Sequence, residues 1–65
     1  MNNLEKDLLL GKLKSAYSPV YEEHVRILKV RTDDNNKLII DAIVPSNKQN
    51  VILFRVEELQ DFSKL

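Results

Sequence analysis

The chain has 65 residues, of which 43% are apolar, and it contains no cysteine. Ten lysine and arginine residues balance ten aspartate and glutamate residues, so no overall field draws the protein to nucleic acid or to an anionic membrane. This length allows a single small domain, residues 1–65, with a thin core. Because disulfides are excluded and His24 is the only histidine, self-association is the expected supplement to stability.

The longest apolar runs, Leu8 to Leu10 and Val51 to Phe54, are far shorter than the roughly 20 residues of a membrane span. The amino terminus also lacks the basic start and long apolar stretch of a signal peptide. We therefore expect a cytoplasmic protein without membrane contact.

The first predicted element is a helix over residues 3–16. Glu5 and Asp7 suit the positive end of the helix dipole, and Ser18-Pro19 ends the pattern. At helical spacing one face is apolar and consists of Leu9, Leu10, Leu13, Ala16 and Tyr17.

The opposite face of this helix carries Leu4, Leu8 and Gly11. Leu4 and Leu8 either fold over the end of the core or form a stripe that faces a partner. In the second case Gly11 would allow a close backbone approach.

Three strands follow, over residues 21–32, 37–44 and 51–56, and the first two are joined by an Asp-Asp-Asn-Asn hairpin connection. In the first strand Val25 and Ile27 share one face, but Leu28 takes the opposite phase. This predicts a bulge near Ile27-Leu28 or burial on both faces. Glu57-Glu58 then opens a short helical turn, which places on one side Val56, Leu59 and Phe62.

The predicted fold is therefore α+β: an N-terminal helix, a three-stranded antiparallel curved sheet and a short C-terminal helical turn. Both faces of the later strands are apolar, although only one long helix can cover them. Either the sheet curls into an SH3-like open barrel, or a second copy packs on it. The apolar side chains expected to face a partner are Leu4, Leu8, Ile39, Ile43, Ile52 and Phe54.

The sequence contains no Gly-rich phosphate loop, no Ser-centred elbow and no paired histidines. His24 lies beside two acids, Glu22 and Glu23, which is typical of a surface histidine. We expect no catalytic residue, no metal and no cofactor.

A basic strip in and near the first strand is the alternative candidate, as a nucleic-acid site. Arg26 and Lys29 would fall on opposite faces of a regular strand, unless the predicted bulge shifts the register. The candidate residues are Arg26, Lys29, Arg31, Lys37 and Arg55.

One further pattern is the run Ala42 to Pro45 followed by Phe54 to Leu59. It resembles the carbon storage regulator family of small dimeric RNA-binding proteins, in which a strand ending in an Ala-Pro pair precedes a strand and an Arg-Glu-Glu helix start. The likeness covers residues 25–62. It departs from the family in the predicted N-terminal helix, in the spacing of the two motifs and in the separation of alanine from proline, so it adds only slightly to the nucleic-acid alternative.

The leading hypothesis is a non-enzymatic interaction or regulatory accessory protein of a bacterium or phage, which acts as a homodimer or by docking on a larger protein. The alternative is a small RNA- or DNA-binding module that uses the basic strand.

Overall fold

The structure is a computed structural model that describes residues 3–47 and 50–64. Helix α1 spans Asn3–Leu9, and one-turn 3-10 helices span Pro45–Asn47 and Val56–Glu58. The strands are β1 Ser15–Ser18, β2 Glu23–Thr32, β3 Leu38–Ile43, β4 Val51–Phe54 and β5 Gln60–Ser63. The predicted α+β class is confirmed.

The strands form one antiparallel sheet in the order β4-β3-β2-β1-β5. The prediction of three strands is therefore wrong, because residues 3–47 and 50–64 form a sheet of five. Strand β1 begins with the last two residues of the predicted helix, and most of β5 comes from the predicted C-terminal helical turn. Strands β1 to β4 form a meander, and β5 returns to pair with β1.

Helix α1 ends at Leu9 instead of Ala16, and the cause is Gly11. The amide of Gly11 donates to the carbonyl of Leu8 (3.1 Å), and the amide of Lys12 donates to the carbonyl of Asp7 (3.0 Å). This pair of bonds is a Schellman cap, which requires a left-handed residue, and Gly11 has a φ of 74°. Gly11 therefore ends the helix.

The buried and exposed sides of the short helix differ from the prediction. Leu8 is buried and Leu4 packs against the core, whereas Leu10 is 58% exposed. Leu4 and Leu8 thus cover the core, and neither is available as a partner-facing stripe.

Strand β3 sets the two faces of the sheet by strict alternation. Its core-facing side is buried, and Asp41 lies on the opposite side between Ile39 and Ile43. The buried core consists of Leu8, Leu13, Ala16, Val25, Ile27, Leu38, Ile40, Ala42, Val44, Phe54 and Leu59.

Strand β2 contains an irregularity at Leu28. Ile27 pairs with Ala42 and Lys29 pairs with Asp41, so two consecutive residues of β3 face three residues of β2. The register shift lies where the sequence predicts a bulge. Because Leu28 is the extra residue, Val30 returns to the core side as the partner of Ile40.

Strand β4 follows the faces of β3 through its register. Phe54 pairs with Ile40, and Ile52 pairs with Ala42, which puts both side chains on the core side. Val51 and Leu53 take the other side. The two faces of this strand are therefore the reverse of the prediction. Ile52 and Phe54, which were expected to face a partner, lie on the core side.

Candidate interaction surface

The side of β2, β3 and β4 that points away from the core is the candidate interaction surface, and we call it the outer face. Its rows follow from strand register: Arg26, Ile43 and Val51 lie across from one another, and so do Lys29, Asp41 and Leu53. The outer face consists of Arg26, Leu28, Lys29, Arg31, Ile39, Asp41, Ile43, Val51 and Leu53.

The outer face has an apolar part beside the edge of the sheet. Val51 is 53% exposed and Leu53 is 57% exposed, and Ile39 and Ile43 beside them are half-buried. Leu28, at the irregularity in β2, is 48% exposed. Of the predicted partner-facing residues, only Ile39 and Ile43 lie on this face.

The outer face also has a basic part. The extra residue Leu28 changes the alternation of β2, so Arg26, Lys29 and Arg31 all lie on the same side of the sheet. Within the described chain neither Arg26 nor Lys29 forms an ion pair. Three of the five predicted basic residues are thus brought together.

Asp41 is the acid of this face among the described residues, and it is engaged. The Nε of Arg31 donates to one carboxylate oxygen of Asp41 at 3.1 Å, and a terminal guanidinium nitrogen donates to the other oxygen at 3.3 Å. The Asp41 side chain is only 14% exposed. The outer face therefore keeps an excess of positive charge in a chain that is neutral overall.

The other two predicted basic residues lie elsewhere. Lys37 is in the β2–β3 turn, and a guanidinium nitrogen of Arg55 lies 2.8 Å from the carboxylate of Asp33. Arg55 thus joins the end of β4 to the hairpin turn and does not extend the basic part.

Asp33 is the centre of that turn. One of its carboxylate oxygens accepts the amides of Asn35 (2.8 Å) and Lys37 (3.0 Å), and the other accepts from Arg55. The hydrogen bond from the Lys37 amide, followed by that from Arg55, lowers the pKa of Asp33 from its ordinary value of 3.8 to about 2.

An open groove of about 650 Å³ adjoins the outer face and shares with it Arg26 and Leu28. Its other lining residues are Lys14, Ser15, His24, Val25, Ile27 and Pro45. The groove therefore carries cations and no carboxylate, which suits an anionic group better than a metal ion.

His24 does not gather metal ligands around it. Its ring makes an edge contact with the ring of Tyr17, with 5.3 Å between centroids. Across residues 3–47 and 50–64 no group of three or more histidine, cysteine, aspartate or glutamate side chains could hold a metal ion.

Sequence reasoning missed Val51, Leu53 and Leu28 as exposed residues. All four positions of β4 are apolar, so alternation within that strand cannot assign its faces. The polar signal was confined to the neighbouring strand β3, where Asp41 marks the outer side that it shares with Ile39 and Ile43.

A comparison of the chain with known protein families, with characterised proteins and with solved structures finds no significant match. The only α-helix of the described residues has seven residues, and no helix there is long and apolar enough to cross a membrane.

Proposed function

We propose that the protein is a non-enzymatic, cytoplasmic interaction module that uses its outer face and the adjoining edge strand β4 to form a homodimer or to dock on a larger protein. The observation that carries this proposal is the exposure of Leu28, Val51 and Leu53 on one face of the sheet. Apolar side chains exposed on one face of a sheet, beside basic residues, favour a surface that binds a partner. Burying the exposed half of such a side chain would stabilise a complex by about 1 kcal/mol.

The polar residues of this face support binding more than catalysis. Both oxygens of Asp41 accept from Arg31, so this carboxylate is not available as a general base. The remaining charged side chains, Arg26 and Lys29, are suited to orienting an acidic partner.

We infer that the curved sheet is an open barrel of the SH3-like type. Two features support this: β5 returns to pair with β1, and a 3-10 turn precedes β5. The ring of Tyr21, from the turn before β2, lies 6.0 Å from that of Phe54 in β4, and this contact further supports a curled sheet. This architecture is shared by proteins of many functions, so the functional proposal depends on the outer face alone.

The test is site-specific photo-crosslinking in the cells that make the protein. A photoreactive residue replaces Leu53 in one variant and Leu10, which is equally exposed but lies at the end of α1, in the control. We expect a discrete protein adduct, to a second copy or to another protein, from position 53 and not from position 10. Adducts from position 10 alone, or from neither position, would contradict the proposal.

A second candidate function is nucleic-acid binding, and the alignment of Arg26, Lys29 and Arg31 on one side of β2 favours it. Phosphate contacts weaken steeply with salt, so single-stranded RNA and DNA oligonucleotides should be titrated at two salt concentrations. Loss of binding when these three residues are changed to glutamine, with binding retained when Lys6, Lys12 and Lys64 are changed, would support this candidate.

A further inference from the structure

The two edges of the sheet differ in how well they are protected. An exposed edge strand presents unpaired amides and carbonyls, and natural proteins protect it with charged residues, bulges or irregular backbone. Edge strand β5 has such protection: Asp61 has a φ of 54°, and the pairing of β5 with β1 shifts register.

Edge strand β4 has four residues, as β5 does, but it has neither of these two features. Its residues are Val51, Ile52, Leu53 and Phe54, with no charge, no proline and no register shift against β3. Among the described residues no strand pairs with its second edge. Because a bare apolar edge is a template for another strand, β4 is the place where a partner strand would add.

We propose that the strand added to β4 is β4 of a second copy, in an antiparallel two-fold pair that continues the sheet across the dimer. This rests on the proposed function and selects its homodimer form. A strand without charges can face itself in this way without like-charge repulsion.

The basic part of the outer face distinguishes this arrangement from face-to-face stacking. Stacked outer faces would bring Arg26 and Lys29 of the two copies together, which is unfavourable. In the edge pair, the β2 strands of the two copies are separated by five strand spacings of about 4.8 Å, or about 24 Å. That distance is well beyond the screening length of about 8 Å at physiological salt.

Register restricts where the two-fold axis can lie. Residues directly opposite each other in an antiparallel pair point to the same face of the sheet. Val51 and Leu53 point outward, whereas Ile52 and Phe54 point to the core side. A two-fold axis midway between two neighbouring residues would place an outward residue opposite a core-side one. The axis must therefore lie at a residue, which then faces its own copy. For a four-residue strand the central positions are Ile52 and Leu53. An axis through Ile52 would place Val51 opposite Leu53 of the second copy.

The natural absence of cysteine allows a direct test by disulfide trapping. A residue on the axis faces its own copy with Cα atoms about 4.5 to 5.5 Å apart, which suits a disulfide. We expect that mild oxidation cross-links either Ile52→Cys or Leu53→Cys into a dimer, and that Leu10→Cys stays monomeric. Equal cross-linking of all three variants, or of none, would overturn the proposal.

Sedimentation gives the second measurement, on proteins shown by circular dichroism to be folded. Wild-type protein should associate to twice the chain mass in the micromolar range. Leu53→Lys, which places a charge on the edge, should raise the dissociation constant at least about tenfold, and Leu10→Lys should leave it unchanged. A monomeric wild type that still forms a photo-crosslink to a different protein from position 53 would overturn the β4 dimer and leave the proposed function standing. A monomer without any such adduct would overturn both.

Discussion

Asp33 shows how one side chain can connect two parts of this small fold. It holds the β2–β3 turn through the amides of Asn35 and Lys37, and it holds the end of β4 through Arg55. Because these groups stabilise the ionised carboxylate, its folded pKa of about 2 lies below its ordinary value of 3.8. The stability contributed in this way is present above pH 3.8 and is lost as the pH falls through 2.

We predict that Asp33→Asn lowers the free energy of unfolding at pH 7 and flattens its decrease between about pH 5 and pH 2. Urea unfolding followed by circular dichroism across this pH range measures both effects. Asp34→Asn, at the exposed neighbouring position, is the control and should keep the wild-type pH profile. An equal pH profile for wild type and Asp33→Asn would contradict the role given to Asp33.

Gly11 is the second position where one residue decides local structure. Its φ of 74° is unfavourable for any residue with a Cβ, although no atom within 4 Å would hinder that Cβ. We predict that Gly11→Ala lowers the free energy of unfolding by roughly 1 kcal/mol, and that Gly11→Asn costs less because asparagine tolerates this conformation. Lys12→Ala should have little effect. If Gly11→Ala matched the wild type in urea unfolding, the helix cap would not depend on this glycine.

At the scale of elements, the two faces of β4 predict different losses of stability when the neighbouring residues Leu53 and Phe54 are changed. Phe54 is buried and packs on Ile40, so Phe54→Ala should cost about 3 to 5 kcal/mol, enough to unfold much of the population of so small a domain. Leu53→Ala should change the stability of the monomer by less than about 1 kcal/mol. Urea unfolding at low protein concentration compares the two variants. Similar losses from both would mean that the face assignment of β4 is wrong.

The sequence predicted the elements whose signals are local and missed those that depend on distant partners. Strands β2, β3 and β4 carry β-branched runs bounded by turn residues, and the change of phase at Leu28 indicated the bulge. Strand β1, with the sequence Ser-Ala-Tyr-Ser, has no strand signal of its own. Its residues become a strand because Ala16 is buried opposite Val25.

The missed helix end had a local signal that was interpreted in another way. A glycine just after an apolar helical pattern is a common stop, so Gly11 could have ended the predicted helix well before Ser18-Pro19 did. The residues of the candidate site were predicted only in part. Arg26, Lys29 and Arg31 were identified by charge, and Ile39 and Ile43 were identified because both faces of their strand are apolar. Val51 and Leu53 could be placed on the outer face only from the register between β3 and β4, and the sequence alone does not determine that register.

At the scale of the whole molecule, the net charge is zero, but the basic and acidic side chains lie in different parts of the fold. The described outer face carries Arg26, Lys29 and the paired Arg31, with Asp41 as its acid, while most carboxylates lie in α1, the turns and the 3-10 helix Val56–Glu58. A second copy paired through β4 would double the length of this basic face without bringing its charges together. Edge pairing therefore leaves Arg26 and Lys29 exposed for a further, acidic ligand.

The last prediction concerns the link between association and stability. A ligand that binds only the folded state stabilises it by RT ln(1 + [L]/Kd), which is about 2.7 kcal/mol at a hundredfold excess over Kd, and a second copy acts as such a ligand. In a domain of this length 1 kcal/mol shifts the midpoint of thermal unfolding by roughly 4 to 8 °C. We therefore expect the midpoint to rise by at least about 5 °C when the protein concentration is raised a hundredfold from near Kd. Differential scanning calorimetry measures this shift.

Leu10→Lys should show the same rise, whereas Leu53→Lys should have a midpoint that is nearly independent of concentration. A concentration-independent midpoint for wild type would show that the fold is stable without its second copy.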